Sequence, residues 1–452
     1  MKRPEVLQFD KGNAFFRDLE RPPILIERGE GVYLYGGGKR YLDGASGAAV
    51  CSLGHGNEEV ASALKTQAKT LSFAHMSKFA TPPLLELTEK LVTTTPPNLS
   101  RVYCVSGGSE ANETAIKLAR QYHLQRGHEA KHKVISRRVS YHGTTLGVLP
   151  LSGQPLRRRA FSPMMLHAPM TAPAYCYRCP FGKTPDGCAL ECALDLERVI
   201  LEEGPENVSA FIAEPVSGSS APGVHPPDPY WKKIRAICDR YDVLLIVDEI
   251  MSGAGRSGSW WAIQHSGVQP DLITAAKGIS AGYVPIGAVI VSEEIYDTLV
   301  ETRARFVHGF TYGGNPLACA VGSKVLDILQ RDGLVERAQT QGNKLLSLLH
   351  QVLDTHPHVG DVRGRGLLLG VEFVADKASK TPFPVEDNIQ SKLSQACLMR
   401  ELYLYQGGGS VDGLRGDHVL IAPPLIVEDE QLEQIVARLS EAIDDVFSKE
   451  VR

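Results

Sequence analysis

Nowhere in the 452 residues do the eighteen or so consecutive apolar side chains of a membrane span occur. Neither sign of charge dominates. With 48 Lys and Arg against 52 Asp and Glu, the formal net charge is -4, which offers no footing for nucleic acid or an anionic lipid surface. A disulfide framework is missing as well: nine cysteines, an odd number and mostly scattered, suit reduced thiols in a chain of intracellular-enzyme size. The first residues, Met1-Lys2-Arg3-Pro4-Glu5, carry two bases but meet an acid before any apolar stretch builds up, so no secretion signal is expected and the cytoplasm is the expected compartment. At the strand-to-helix turn near Ser106 there is neither the glycine pattern of a dinucleotide site nor a Gly-Lys-Ser/Thr loop.

What is present is a chain 43% hydrophobic, long enough for a large core and two to three domains. Apolar runs near 102, 134, 210, 245, 272 and 288, separated by helical patterns, predict an α/β fold with a mostly parallel mixed sheet flanked by helices. Short alternating runs over 24–45 predict two or three small antiparallel strands. A turn and strand over 362–373, a helix over 387–401, a strand near 419–424 and a closing helix over 428–448 predict a smaller α/β domain. The expected division is an N-terminal segment 1–60 that contributes to the small domain, a large domain 61–325, and a C-terminal small domain 326–452.

The polar ends of the central strands would crowd one edge of such a sheet, where these folds place ligands. Leu244-Leu245-Ile246-Val247 ends in Asp248 and Glu249, and Asp271-Leu272-Ile273-Thr274-Ala275-Ala276 ends in Lys277 between small residues. A strand-end acid can cap a helix and a lysine can face water, but pyridoxal phosphate chemistry needs this pair: an amine to join the aldehyde and an acid opposite the ring nitrogen. Ser106-Gly107-Gly108-Ser109, opening a helix, offers free amides to a phosphate at Gly108 and Ser109, although glycine and serine also start ordinary helices. Glu214 ends a further buried run, and Tyr141 stands where a ring could stack on a flat cofactor or simply be half-buried. Cys176, Cys179, Cys188 and Cys192 fall in one short segment. Zinc ligation, a redox-labile loop and packed free thiols all stay open for them.

Ile246-Val247-Asp248-Glu249-Ile250-Met251-Ser252-Gly253-Ala254-Gly255-Arg256-Ser257-Gly258, followed by Ala276-Lys277-Gly278, resembles the class III, omega-type aminotransferases of the fold-type I pyridoxal-phosphate group. The resemblance runs from about Leu25 to the last helix. It implies pyridoxal 5'-phosphate as cofactor, Lys277 as the Schiff-base lysine, Asp248 at the pyridine nitrogen, and Ile250 and Tyr141 on the two ring faces. It further implies Gly108 and Ser109 at the phosphate, Glu214 near the ring hydroxyl, and Thr311 reaching the neighbouring subunit's phosphate in a homodimer with shared sites, with pairing into tetramers left open. Arg415 resembles a mobile arginine that binds a substrate carboxylate. Ala49 stands where amine:pyruvate members carry a tryptophan, which points to an altered donor pocket. The implied reaction moves an amino group from a primary amine or omega-amino acid to a keto acid, pyruvate ahead of 2-oxoglutarate. Relatives with the same lysine run as epimerases or lyases, and the cysteines alone would suggest a metal-stabilised interaction protein; both stand as alternatives.

Overall fold

Residues 208–213, 244–248, 272–275 and 287–292 are buried along their whole length, and this decides the architecture: strands apolar on both faces must lie inside a sheet covered on both sides. A computed structural model describes residues 13–18 and 23–448. The reading of Met1 to Glu5 lies outside the described residues.

Three sheets organise the chain. The first contains β1 (Arg28–Glu30), β2 (Tyr33–Gly36) and β3 (Lys39–Asp43), joined in parallel by a late strand, Leu402–Tyr403. Helices α1 (Glu58–Thr70), capped by the Asn57 side chain on the Val60 amide at 3.1 Å, and α2 (Pro82–Thr94) lead into the central sheet. The central strands are β4 (Leu99–Val105), β5 (Lys133–Arg137), β6 (Met170–Thr171), β7 (Val208–Ala213), β8 (Leu244–Asp248), β9 (Leu272–Ala275) and β10 (Gly287–Ser292). Their order is β4-β10-β9-β8-β7-β5-β6; β10 is antiparallel to both neighbours and the rest run parallel. Between β4 and β5 lies α3 (Gly108–Gln125), and α4 (Pro229–Arg240) precedes β8. The third sheet, β11 (Val359–Arg365), β12 (Leu368–Phe373), β14 (Tyr405–Gly407) and β15 (His418–Ile421), follows two long helices, Pro316–Arg331 and Leu334–Leu353; the strand Leu402–Tyr403 is β13.

Two local expectations change. Ile24, Leu25 and Ile26 lie exposed beside β2 and outside the ladder, which opens only at Arg28. Residues 362–365, expected in a turn ahead of one strand, belong to a strand of their own over 359–365: Gly366 adopts φ +55°, the left-handed conformation a two-residue hairpin needs, and brings β12 back antiparallel on β11. That hairpin docks on the glycine-rich loop after β8, where the Leu367 amide donates to the Arg256 carbonyl at 3.0 Å.

Candidate active site

Lys277 follows β9 by two residues and sits at φ +46°, a left-handed conformation that strains a non-glycine residue and persists only where its surroundings hold it. Its Nζ donates to the Ala48 carbonyl at 3.0 Å. Burial lowers its pKa to about 8; the Asp248 and Glu214 carboxylates oppose the shift and the Arg157 and Arg256 guanidiniums add to it. An amine in this state costs stability while it is charged. Below pH 8 both folded and unfolded chains carry the proton and the full cost is felt. Between pH 8 and 10.5 the unfolded chain binds the extra proton, so stability rises with pH. Cofactor-free Lys277→Met, which keeps the apolar stem, is therefore expected to be more stable than the cofactor-free native chain by about 3 kcal/mol at pH 7. Denaturant melts should show the gap closing as pH climbs toward 10.5; a pH-independent gap would contradict the assignment.

The carbonyl that receives Lys277 belongs to a tight turn, 46–49, in which Ser46, Gly47 and Ala49 all have positive φ. Asp43, buried at the end of β3, holds the turn by accepting from the amides of Ala45 at 3.2 Å and Gly47 at 3.0 Å. Arg256, from the loop after β8, ties it to the C-terminal segment through Ser46 Oγ and the carbonyls of Leu367 and Pro423. Ala49, expected at the donor pocket, is buried in an apolar cluster with Val216, Leu420 and Ala422, where this anchored turn packs it.

The two acids that end β8 part company, as side chains on a strand must. Glu249 accepts from Ser252 Oγ and the Ile263 amide and staples the following loop; burial raises its pKa to about 7. Asp248 faces the other way. Its Oδ2 accepts from Asn112 Nδ2 on α3 and from His142 Nδ1, both at 2.8 Å, and its Oδ1 accepts the Ile250 amide at 3.1 Å. A carboxylate has about four acceptor positions, so three donors leave one open on Oδ1. Asn112 and His142 were not singled out from sequence; only the packing of α3 against the turn after β5 brings them to Asp248. Glu214, at the end of β7, is buried with Oε2 unpartnered. Burial raises its pKa, with Asp248 acting the same way and His142 and Arg137 opposing.

At the N-terminus of α3 no side chain caps the helix. Gly108 is packed so closely on Ile250 that a Cβ there would stand 2.8 Å from Ile250 Cδ1, and a Cβ at Gly107 would meet nothing. Ser109 Oγ accepts from the Thr144 amide at 3.1 Å and keeps its own proton to donate. Beside this cup the half-buried Tyr141 ring carries the Arg157 guanidinium 4.3 Å above its centroid. Arg157, also missed, sits in a run of three arginines that reads as a solvated basic face; among the described residues it has no ion-pair partner.

The other expected residues lie further off. Arg415 is exposed and paired with Asp412 at 2.8 Å. Thr311 is exposed on the loop 302–315. Cys176, Cys179 and Cys188 line a cavity of about 300 Å³, but all nine thiols are free. Among the described residues the four cysteines lie near one another without three ligand atoms within 4.8 Å, and the Cys188 sulfur accepts from the Leu190 amide and faces Glu191. Among the described residues the one group of three or more His, Cys, Asp or Glu with ligand atoms within 4.8 Å of one another is His123, His128 and Asp242.

A buried amine of lowered pKa, a carboxylate with one acceptor position open, a buried acid with one oxygen unpartnered and an uncapped helix end with glycine and serine are the donor set that pyridoxal phosphate requires, and the residues fit it. The family model for class-III aminotransferases matches residues 16–443. Gamma aminobutyrate transaminase 2 of Solanum lycopersicum is 37% identical over 94% of this chain and 93% of its own length. An (S)-enantioselective omega-transaminase structure from Thermomicrobium roseum is 40% identical with a TM-score of 0.89, covering 95% of this chain and 94% of that one. The omega transaminase of Pseudomonas jessenii, solved in complex with PMP, is 35% identical with a TM-score of 0.88, again covering 95% and 94%. The chain belongs to the class-III aminotransferases, fold-type I enzymes that depend on pyridoxal 5'-phosphate.

Proposed function

We propose that this enzyme moves an amino group from a primary amine, above all an omega-amino acid, to a keto acid, with pyruvate preferred over 2-oxoglutarate. The observation that carries the reading is the buried Lys277 amine, at a pKa of about 8 among Asp248, Glu214 and Arg157. Bound there, the cofactor supplies an aldehyde for the amine to join and a ring that takes up the electrons of a breaking C–H bond. Lys277 would hold that aldehyde, and an amine with a pKa near the working pH could both accept and return a proton. Asp248, fixed by Asn112 and His142, would keep the ring nitrogen protonated. Gly108, Ser109 and the amides of α3 would hold the phosphate, Tyr141 and Ile250 would enclose the ring, and Glu214 would lie near its hydroxyl.

Arg157 gives the site its acid preference. Of the two arginines felt at Lys277, Arg256 is spent on carbonyls and Ser46, while Arg157 is free for a carboxylate. One free guanidinium suits an acceptor with one acid group. Arg415 can add a second: its exposed pair with Asp412 is worth at most about 1 kcal/mol and is easily exchanged. Thr311, exposed in the single chain, is suited to a partner's phosphate, and a homodimer with shared sites is the assembly we propose. The three sheets support a large domain over 61–325, with a small one from 1–60 and 326–452. Nine free thiols suit a reducing cytoplasm.

The test is alanine formation from pyruvate, against glutamate formation from 2-oxoglutarate, with one omega-amino acid as donor. Turnover of the donor with no keto acid present would replace transfer by epimerase or lyase chemistry. Arg157→Ala is expected to raise KM for omega-amino acids at least tenfold, the loss of a charged hydrogen bond worth about 1.5–3 kcal/mol. It should leave amines without an acid group nearly unchanged. Equal increases for both kinds of donor would sink the assignment.

A further inference from the structure

At the edge of the central sheet opposite Lys277, three side chains that the reaction does not use converge. His123, near the end of α3, is fully buried, and its Nε2 lies 2.9 Å from the Ser209 carbonyl in β7. A carbonyl only accepts, so Nε2 carries the hydrogen and the lone pair of the neutral ring is on Nδ1. That Nδ1 has no hydrogen-bond partner and stands 3.9 Å from Asp242 Oδ2, just ahead of β8. Two lone pairs facing each other in a buried place need something electropositive between them. His128 Nδ1 approaches the same oxygen at 3.0 Å without hydrogen-bond alignment, and its ring lies nearly parallel to that of His123.

We propose that His123 Nδ1, His128 Nδ1 and Asp242 Oδ2 bind a divalent transition-metal ion of the zinc class. Two imidazoles and one carboxylate suit zinc, nickel or copper, whereas calcium and magnesium take oxygen ligands. The supporting contacts are those of metal-bound histidine: the far nitrogen of His123 donates to a backbone carbonyl, and Arg126 fixes the other oxygen of Asp242 at 2.6 Å. His128 and Asp242 are partly exposed, which leaves a coordination position for water. Arg126 and Lys131, whose Nζ is 3.9 Å from Asp242 Oδ2, oppose added positive charge. Four backbone carbonyls hold Lys131 in place, so its charge stays beside the site and weakens the binding.

The test uses the holoenzyme, stripped with chelator and then dialysed against micromolar zinc chloride. Zinc per chain is compared among the native protein, His128→Gln and Asp242→Asn, so that zinc taken up by the cysteines cancels. The expected result is about one more zinc per native chain than in either variant, and a zinc-dependent rise in Tm that His128→Gln loses. His128 is exposed, so its substitution should leave folding and transaminase turnover intact. Equal zinc contents in native and His128→Gln protein, or an equal rise in Tm, would overturn the site and leave a proton-linked His128–Asp242 pair in its place.

Discussion

Lys277→Ala is expected to lose transaminase turnover by at least about four orders of magnitude, because in the proposed mechanism one substitution removes both the covalent hold on the cofactor and the group that moves the proton. Alanine can keep the left-handed backbone at this position, so the turn after β9 is preserved. Removing the buried stem costs stability of the order of a few kcal/mol, and circular dichroism and a melt should accompany the kinetics. Two readouts separate chemistry from damage. The variant should bind pyridoxal phosphate without the visible absorbance of the lysine-linked form. The space vacated by the stem should admit a small primary amine such as methylamine, which is expected to restore part of the rate in proportion to its concentration. A Lys277→Ala enzyme that kept a tenth of native turnover would remove Lys277 from the mechanism.

Much of this framework is readable in the chain because burial on both faces writes itself as continuous apolar runs, and the six central runs, near 102, 134, 210, 245, 272 and 288, are all strands of one sheet. The same logic explains where reading stops. Asp248 and Glu249 are equivalent as letters at a strand end, and only the pleat decides that one meets His142 while the other staples Ser252. Asn112 and His142 lie far from Asp248 in sequence, and nothing local marks them as its partners. Arg157 is disguised by Arg158 and Arg159, since a basic run reads as a wet surface until Tyr141 is seen beneath one member of it. The hairpin at Gly366 was hidden because a glycine-rich strand carries little apolar signal. The cysteines at 176–192 advertise themselves by spacing, whereas His123, His128 and Asp242 share no motif and are brought together only by the fold.

Asp248→Asn isolates the electrostatic part of the site from its shape. The side chains are isosteric, so the protein is expected to fold and to retain a good part of its cofactor through the α3 cup and Lys277. The polarity of the pocket decides how the new amide sits. Two donors, Asn112 Nδ2 and His142 Nδ1, face the Oδ2 position, so the amide oxygen must turn toward them. The NH2 then occupies the Oδ1 position, where it faces the Ile250 amide and offers a donor in place of the open acceptor. A ring nitrogen meeting a donor cannot be kept protonated, and the ring loses the charge that lets it accept electrons. Removing one such preorganised interaction typically costs a factor of 10² to 10³, about 3–4 kcal/mol, and here the donor actively opposes the required state. The expected loss in kcat is therefore about a thousandfold or more, with KM for the amine changed only a few-fold. Asn112→Ala, which leaves the carboxylate but removes one of its three donors, should fall between the native enzyme and Asp248→Asn. Near-native kcat in Asp248→Asn, measured at full cofactor occupancy, would show that the β8 acid shapes the pocket without supporting the charge on the ring.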